Sequence, residues 1–218
     1  MQYDYFIGGE LIQTSVMEKD LGIQVHKSLK VAEHVNFVVK KANGLLGCIR
    51  RTYTDKSLTN IIQLYQTLVR PLLETCVPAW SPYLQKDIDK LESVQRRATR
   101  MISSVHGMPY ESRLKKCKLM TLKDRRLRTD LIEVFKIIHG YTDIPTESLF
   151  KVNPNPRPGR HKYTLIRGHS RLDVRHKFFS QRVIPYWNAL PSEAVEASSI
   201  NAFKSHIEKL VTTWGSTT

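Results

Sequence analysis

"QKDIDKLESVQRRATRMIS", residues 85–103, reads as an amphipathic helix. At ~100° per residue, Ile88, Leu91, Val94, Ala98, Met101 and Ile102 share one face. Arg96, Arg97 and Arg100 fall on the opposite face. Asp87 and Asp89 stand in the first turn and the arginines in later ones, which suits the helix dipole. Such a face is either the solvated side of a bundle helix or a ridge that tracks phosphates.

The same period extends upstream. In 31–51, Val31, Val35, Val38, Val39, Ala42, Leu45, Leu46 and Ile49 recur every three or four residues, and in 57–70 Leu58, Ile61, Ile62, Tyr65, Leu68 and Val69 do so. Pro71 is expected to kink or stop that second helix, since proline lacks the amide proton and clashes with the preceding turn. With Pro78 and Pro82, residues 71–82 read as an irregular buried corner anchored by Trp80. Before residue 27 the chain reads as short strands. "YDYFI" and "ELIQT" flank Gly8-Gly9, a two-residue hairpin signal, and "LGIQV", residues 21–25, is a third strand.

Downstream, Gly107 and Pro109 break the helix. A short helix near 110–117 and a longer one near 121–139 follow. The longer one places Leu127, Leu131, Val134, Phe135 and Ile138 inward, with Arg125, Arg126 and Arg128 mostly outward and Gly140 as C-cap. Residues 151–170, "KVNPNPRPGRHKYTLIRGHS", read as a basic linker. From 151 to 182 there are nine Lys+Arg and one acid, Asp173. This stretch is either a mobile tether or an arm that orders on nucleic acid. "KFFSQRVIPYWNALP" then restores aromatic bulk, and "SSINAFKSHIEKL" is an amphipathic helix with a serine cap. The fold class is mainly α. The expected divisions are a hairpin element (1–28), a helical bundle (29–106), a basic helical segment (107–150), a basic linker (151–175) and an aromatic, helical C-terminal region (176–218).

The chain has 218 residues, 41% of them apolar, enough for a real core. Its 34 Lys+Arg against 20 Asp+Glu give a net charge of +14. That excess favours polyanions, nucleic acid first and an anionic membrane surface second. Cys48, Cys76 and Cys117 are too few and too scattered for a disulfide framework or a zinc site and read as reduced, buried thiols. No apolar run approaches the ~18 residues that span a bilayer. The first 20 residues carry four acids and no basic region, unlike a signal peptide. An intracellular location, nuclear or cytoplasmic, is expected.

No nucleotide-binding loop, metalloprotease, hydrolase or zinc-knuckle pattern occurs. The eight histidines are scattered singly. Two-metal phosphoryl transfer needs paired carboxylates, and no Asp-Asp dipeptide exists here. The residues therefore read as a helical, basic, non-catalytic nucleic-acid binder with no metal and no cofactor.

Several segments in order carry a family resemblance: "KDLGIQV" (19–25), "KKANGLLGCIRR" (40–51), "LYQTLVRPLLETCVPAWSPY" (64–83), "DIDKLESVQRRATRMI" (87–102), "YESRLKKCKLMTLKDRRLRTDLIEVFKIIHG" (110–140), "FFSQRVIPYWNALPSEAVEA" (178–197) and "FKSHI" (203–207). Together they resemble the C-terminal part of the reverse transcriptase of non-LTR, LINE-type retrotransposons, of the chicken-repeat and jockey-like group. The resemblance implies that Asp20, Leu21 and Gly22 belong to a primer-grip-like hairpin. It makes the helices of 31–103 a thumb-like bundle and residues after about 107 a C-terminal extension that holds RNA or target DNA. It also places the catalytic F/Y-x-D-D strand and the endonuclease upstream of residue 1, so this chain is expected not to polymerise.

The expected phosphate contacts are Lys40, Lys41, Arg50, Arg51, Arg96, Arg97, Arg100, Arg125, Arg126, Arg128, Arg167, Arg171 and Arg175. The expected partner is RNA or an RNA/DNA duplex, with the polymerase palm or a second copy of the chain as further partners and no membrane. The alternative readings are a helical protein-interaction module and a product of a degenerate element without function.

Overall fold

A computed structural model describes residues 4–215. It is mainly helical, with three two-stranded antiparallel sheets. Tyr3, the start of the first expected strand, lies outside the described residues. β1 (Phe6–Ile7) and β2 (Glu10–Leu11) form a hairpin around Gly8-Gly9, both at positive φ, as a tight two-residue turn requires. β3 (Met17–Asp20) and β4 (Ile23–His26) form a second hairpin. Here Leu21 and Gly22 are the turn itself, at φ 44° and 89°, rather than the start of a strand.

α1 (Ala32–Thr52) buries Val35, Val38, Ala42, Leu46 and Ile49, the stripe that its period predicts. α2 (Leu58–Leu64) does not stop at Pro71. It passes through a π turn (Tyr65–Val69) into α3 (Arg70–Glu74). The Arg70 N–H reaches the Tyr65 carbonyl, five residues back, and this wider turn directly precedes Pro71. The proline ring would otherwise press on the carbonyl four residues earlier, so the extra residue is how the rod accommodates it. The break comes later, where Thr75 is extended and Cys76 is left-handed at φ 54°. α4 (Val77–Trp80) completes the corner. Trp80 is 2% exposed and its Nε1 donates to the Thr75 carbonyl at 2.6 Å.

α5 (Gln85–Arg100) packs along α1, and a 3-10 turn (Ser103–Val105) follows it. α6 (Tyr110–Cys117) ends on Lys118, left-handed at φ 52°. α7 (Leu122–Ile138) is capped by Thr121, whose hydroxyl accepts the Asp124 N–H at 3.1 Å. Its C-terminus closes as the sequence leads one to expect. Gly140 has φ +68°, and the N–H groups of Gly140 and Tyr141 bond back to Ile137 and Lys136.

α8 (Thr146–Leu149) leads into the β5 (Lys151–Val152)–β6 (Leu165–Ile166) pair. The chain ends in α9 (Asp173–His176), α10 (Phe179–Arg182), α11 (Ile184–Asn188), α12 (Ser192–Val195) and α13 (Ile200–Gly215). The Ser199 hydroxyl accepts the Ala202 N–H at 3.1 Å, the expected cap of α13.

Two apolar cores result. The first gathers α1 to α6, Leu119 and Leu122. The second gathers α7 from Leu131 onward with Phe150, Leu165, Trp187, Phe203 and Ile207. The division therefore falls inside α7, which serves both, and not at 106–107. Segment 151–175 is more than a linker. It pairs as a hairpin, buries Leu165, and sets His161 Nε2 3.1 Å from the Trp187 carbonyl. Among the described residues no helix is long and apolar enough to cross a membrane.

Candidate nucleic-acid interface

α1 and α5 lie side by side, and two exposed polar ties span them. Lys90 Nζ donates to Asn36 Oδ1 at 2.8 Å, and Arg97 Nη1 to Asn43 Oδ1 at 3.0 Å. Beyond the second tie the surface between the helices opens into a groove of ≈ 620 Å³. Leu46, Gly47 and Met101 line it with Arg50, Lys56, Arg97 and Arg100, and Ser103 and His106 complete it. The Ser103 N–H closes this end by bonding the Lys56 carbonyl at 3.1 Å.

Arg96 and Arg100 continue the basic surface toward Tyr110. The Arg96 guanidinium lies 4.9 Å from the Tyr110 ring centroid. Beneath them Arg113 is buried, donating to the Arg96 carbonyl and the Thr99 hydroxyl, both at 2.9 Å. Burial, then the neighbouring Arg100 charge, lowers the Arg113 guanidinium below its ordinary value. Among the described residues no Asp or Glu lines this groove. A concave surface of one sign over an apolar floor focuses potential on a polyanion.

The structure sorts the expected contact residues into groups. Arg50, Arg97 and Arg100 meet in the groove, and Arg96 adjoins it. Arg51 is exposed one residue further along α1, with Nη2 3.7 Å from Cys48 Sγ. Lys40 and Lys41 are exposed about 15 Å back along α1, ten residues at helical rise. Lys41 Nζ stands 5.5 Å from the Phe37 ring centroid. Asp20, Leu21 and Gly22 form the exposed tip of the second hairpin, with Leu21 91% exposed.

The α7 arginines are different, and the outward placement expected for them is corrected. Arg126 is 4% exposed, lies over the Trp80 ring, and donates to the Leu122 and Leu73 carbonyls. Burial pushes it down to about 10, so it is still charged at neutral pH. Arg125 is half-buried and held by both carboxylate oxygens of Glu74. Arg128 is half-buried, lowered by burial and supported by Glu208 on α13. Arg125 and Arg126 are committed to tying α7 to the α3–α4 corner, and Arg128 Nε is buried without a partner. In the tail, Arg171 and Arg175 are exposed, Arg175 lying 5.3 Å from the Phe178 ring, and Arg167 borders a separate cleft.

Lys56, His106 and Arg113 were missed in the sequence, because they lie in or after breaks where no period assigns a face. The thiols also differ from expectation: all three are free, but Cys48 and Cys76 are exposed and only Cys117 is buried. Among the described residues no group of three His, Cys, Asp or Glu stands where it could hold a metal ion. Comparison with family models, with curated proteins and with solved structures returns no match.

Proposed function

We propose that this chain binds RNA or a template–primer duplex through its phosphates, along the groove between α1 and α5. In this reading it is the thumb and C-terminal extension of a LINE-type reverse transcriptase, without a polymerase active site of its own. The observation that carries the reading is the cluster of Arg50, Lys56, Arg97 and Arg100 over Leu46 and Met101, with no carboxylate lining it. The ordered sequence resemblance supports the same assignment. Backbone contacts of this kind hold and position a strand without reading its bases.

Fluorescence anisotropy with a labelled RNA hairpin and with a template–primer duplex tests it. Affinity is expected to fall by orders of magnitude between about 50 and 200 mM salt. The Arg97→Ala/Arg100→Ala double variant should reduce the salt slope by about two and keep its thermal transition. An affinity that ignores salt, or a double variant that binds as the parent does, removes the reading.

One observation favours a second reading. Tyr5, Phe6, Ile7, Leu11 and Met17 on the two N-terminal hairpins are exposed, and clustered apolar surface marks protein contacts. A helical interaction module would then associate through these hairpins. Gel filtration separates the two: an apolar complex persists in high salt, and a phosphate-bound one dissociates.

A further inference from the structure

A second concavity, of ≈ 350 Å³, opens where the two cores meet. That is the lower end of the size range of small-molecule sites. Its lining is mixed: Tyr83 ahead of α5, Leu127 on α7, Tyr186 on α11 and Trp214 on α13 supply apolar surface among charged side chains. The Tyr186 and Trp214 ring centroids are 5.9 Å apart. At the first turn of α7, the buried Asp124 borders the same space. Burial raises its carboxyl above the ordinary value, and Thr121 and Lys123 beside it oppose that rise. At the rim stand Arg167, His176 and Lys177, with Lys177 Nζ 5.9 Å from the Tyr83 ring.

Lys123, Arg126, Asp130 and Arg182 also line the cleft, and the last three are held by one another or by the backbone. Asp130 is held by Arg182 through bonds of 2.9 and 3.0 Å, and Arg126 by backbone carbonyls. Arg126 Nε and His176 Nδ1 are each buried without a partner. A buried polar atom without a partner is costly, and a bound ligand is one way to satisfy it.

We propose that this cleft binds a guanine nucleotide, its base stacked on Tyr83 and Tyr186, its donor edge on Asp124 and its phosphate at Arg167, His176 and Lys177. An ionised carboxylate only accepts hydrogen bonds. Guanine is the common base with two adjacent donors, N1–H and the 2-amino group. Adenine and cytosine place a ring-nitrogen acceptor beside their amino group, and uracil flanks its single N–H with carbonyls. Each of these sets a lone pair against the carboxylate. Stacking on aromatic side chains is how unpaired bases are held in protein clefts, and the rim cations suit the phosphate. The nucleotide has two sources, a free ligand or an unpaired residue of a bound strand. Only the second rests on the nucleic-acid reading above.

The test follows tryptophan fluorescence of the full chain, since Trp214 borders the cleft while Trp80 and Trp187 are buried. Titration with GMP, IMP and AMP, and with short single strands containing guanosine, inosine or adenosine, is expected to favour guanine over adenine at least tenfold. Inosine, which lacks the 2-amino group, should fall between. Asp124→Asn should collapse that preference, and Tyr186→Ala, at an exposed position, should weaken every ligand. If Asp124→Asn fails to fold, Tyr186→Ala decides alone.

Saturation by free GMP assigns the site to a free nucleotide. Guanine preference seen only in strands assigns it to a bound strand. Equal binding of guanine and adenine, or no binding of either, overturns the proposal. Arg97→Ala/Arg100→Ala reports on the groove whichever way the guanine preference comes out, so the two readings fail separately.

Discussion

Arg125 and Glu74 are 51 positions apart, and each spends its charge on the other. Arg125 Nε and Nη2 grip the two carboxylate oxygens of Glu74 at the end of α3, which Arg70 also approaches at 3.7 Å. Their side chains are 23% and 17% exposed, so water screens the pair only in part. This bond ties the corner of the first core to α7.

Arg125→Ala is accordingly expected to cost stability rather than affinity. The loss should be about 1–3 kcal/mol, between the values for surface and fully buried pairs. A double-mutant cycle with Glu74→Ala in urea melts should show a positive coupling energy. A fall in RNA affinity as large as that from the groove arginines, without loss of stability, would contradict this division of roles.

Tyr65, on the π turn, donates its hydroxyl to Gln95 Oε1 at 2.8 Å in the middle of α5. Gln95 Nε2 in turn reaches the Tyr110 hydroxyl and the Met120 carbonyl, both at 3.0 Å. Burial, with Glu74 and Glu92 nearby, raises the Tyr65 phenol well above its ordinary value, so it stays a donor. Tyr65→Phe leaves the buried Gln95 oxygen without its donor. It should destabilise by about 1–3 kcal/mol, measured as a shift of the urea midpoint at unchanged slope. A change below a few tenths would mean that water or a rotated Gln95 takes the place of the hydroxyl.

The helices α1, α5 and α7 were legible because a 3.6-residue period repeats over 16 or more residues in each, and Arg96, Arg97 and Arg100 followed from the same count. The continuation through Pro71 was not legible, because a π turn leaves no composition signal. Nor was the burial of Arg125 and Arg126. On a helical wheel they belong to a polar arc, and only the packing of α7 on the α3–α4 corner gives them Glu74, Trp80 and the Leu73 carbonyl. Segment 151–175 misled through its prolines and charge. What orders it is a two-residue pairing and Leu165, below the length at which alternation can be recognised.

His34 makes the fold sensitive to acid. The Gln24 N–H donates to His34 Nδ1 at 3.1 Å, docking the β3–β4 hairpin on α1, and Trp80 packs edge-on at 4.4 Å. Burial lowers the imidazole below its ordinary value of about 6.5. The unfolded chain therefore binds the proton more readily. The stabilisation is complete above that value and is lost as pH falls below it. His161, also buried, is shifted in the same direction by burial. Thermal melts from pH ~7.5 to ~5 should show a falling Tm, with a shallower slope for His34→Phe. Equal slopes would show that His34 does not carry the effect.

Glu92 should act with the opposite sign. It is buried where α5, α6 and α7 meet, and it accepts from the Tyr110 hydroxyl, from Gln95 Nε2 at 3.2 Å and from the Leu122 N–H at 2.9 Å. Burial raises its carboxyl above the ordinary value, and the bonds from Tyr110 and Leu122 offset that only in part. The folded chain then holds its proton at a pH where the unfolded chain has released it. Stability from this group is fully present below about 4.3 and declines as pH rises through the folded value. Glu92→Gln, which stays neutral, removes that decline. Its stability relative to the parent should drift in the variant's favour as pH rises from about 4, whatever the fixed cost of the altered bonds. A relative stability that stays flat, or drifts toward the parent, would mean that the three donors hold Glu92 ionised in the fold.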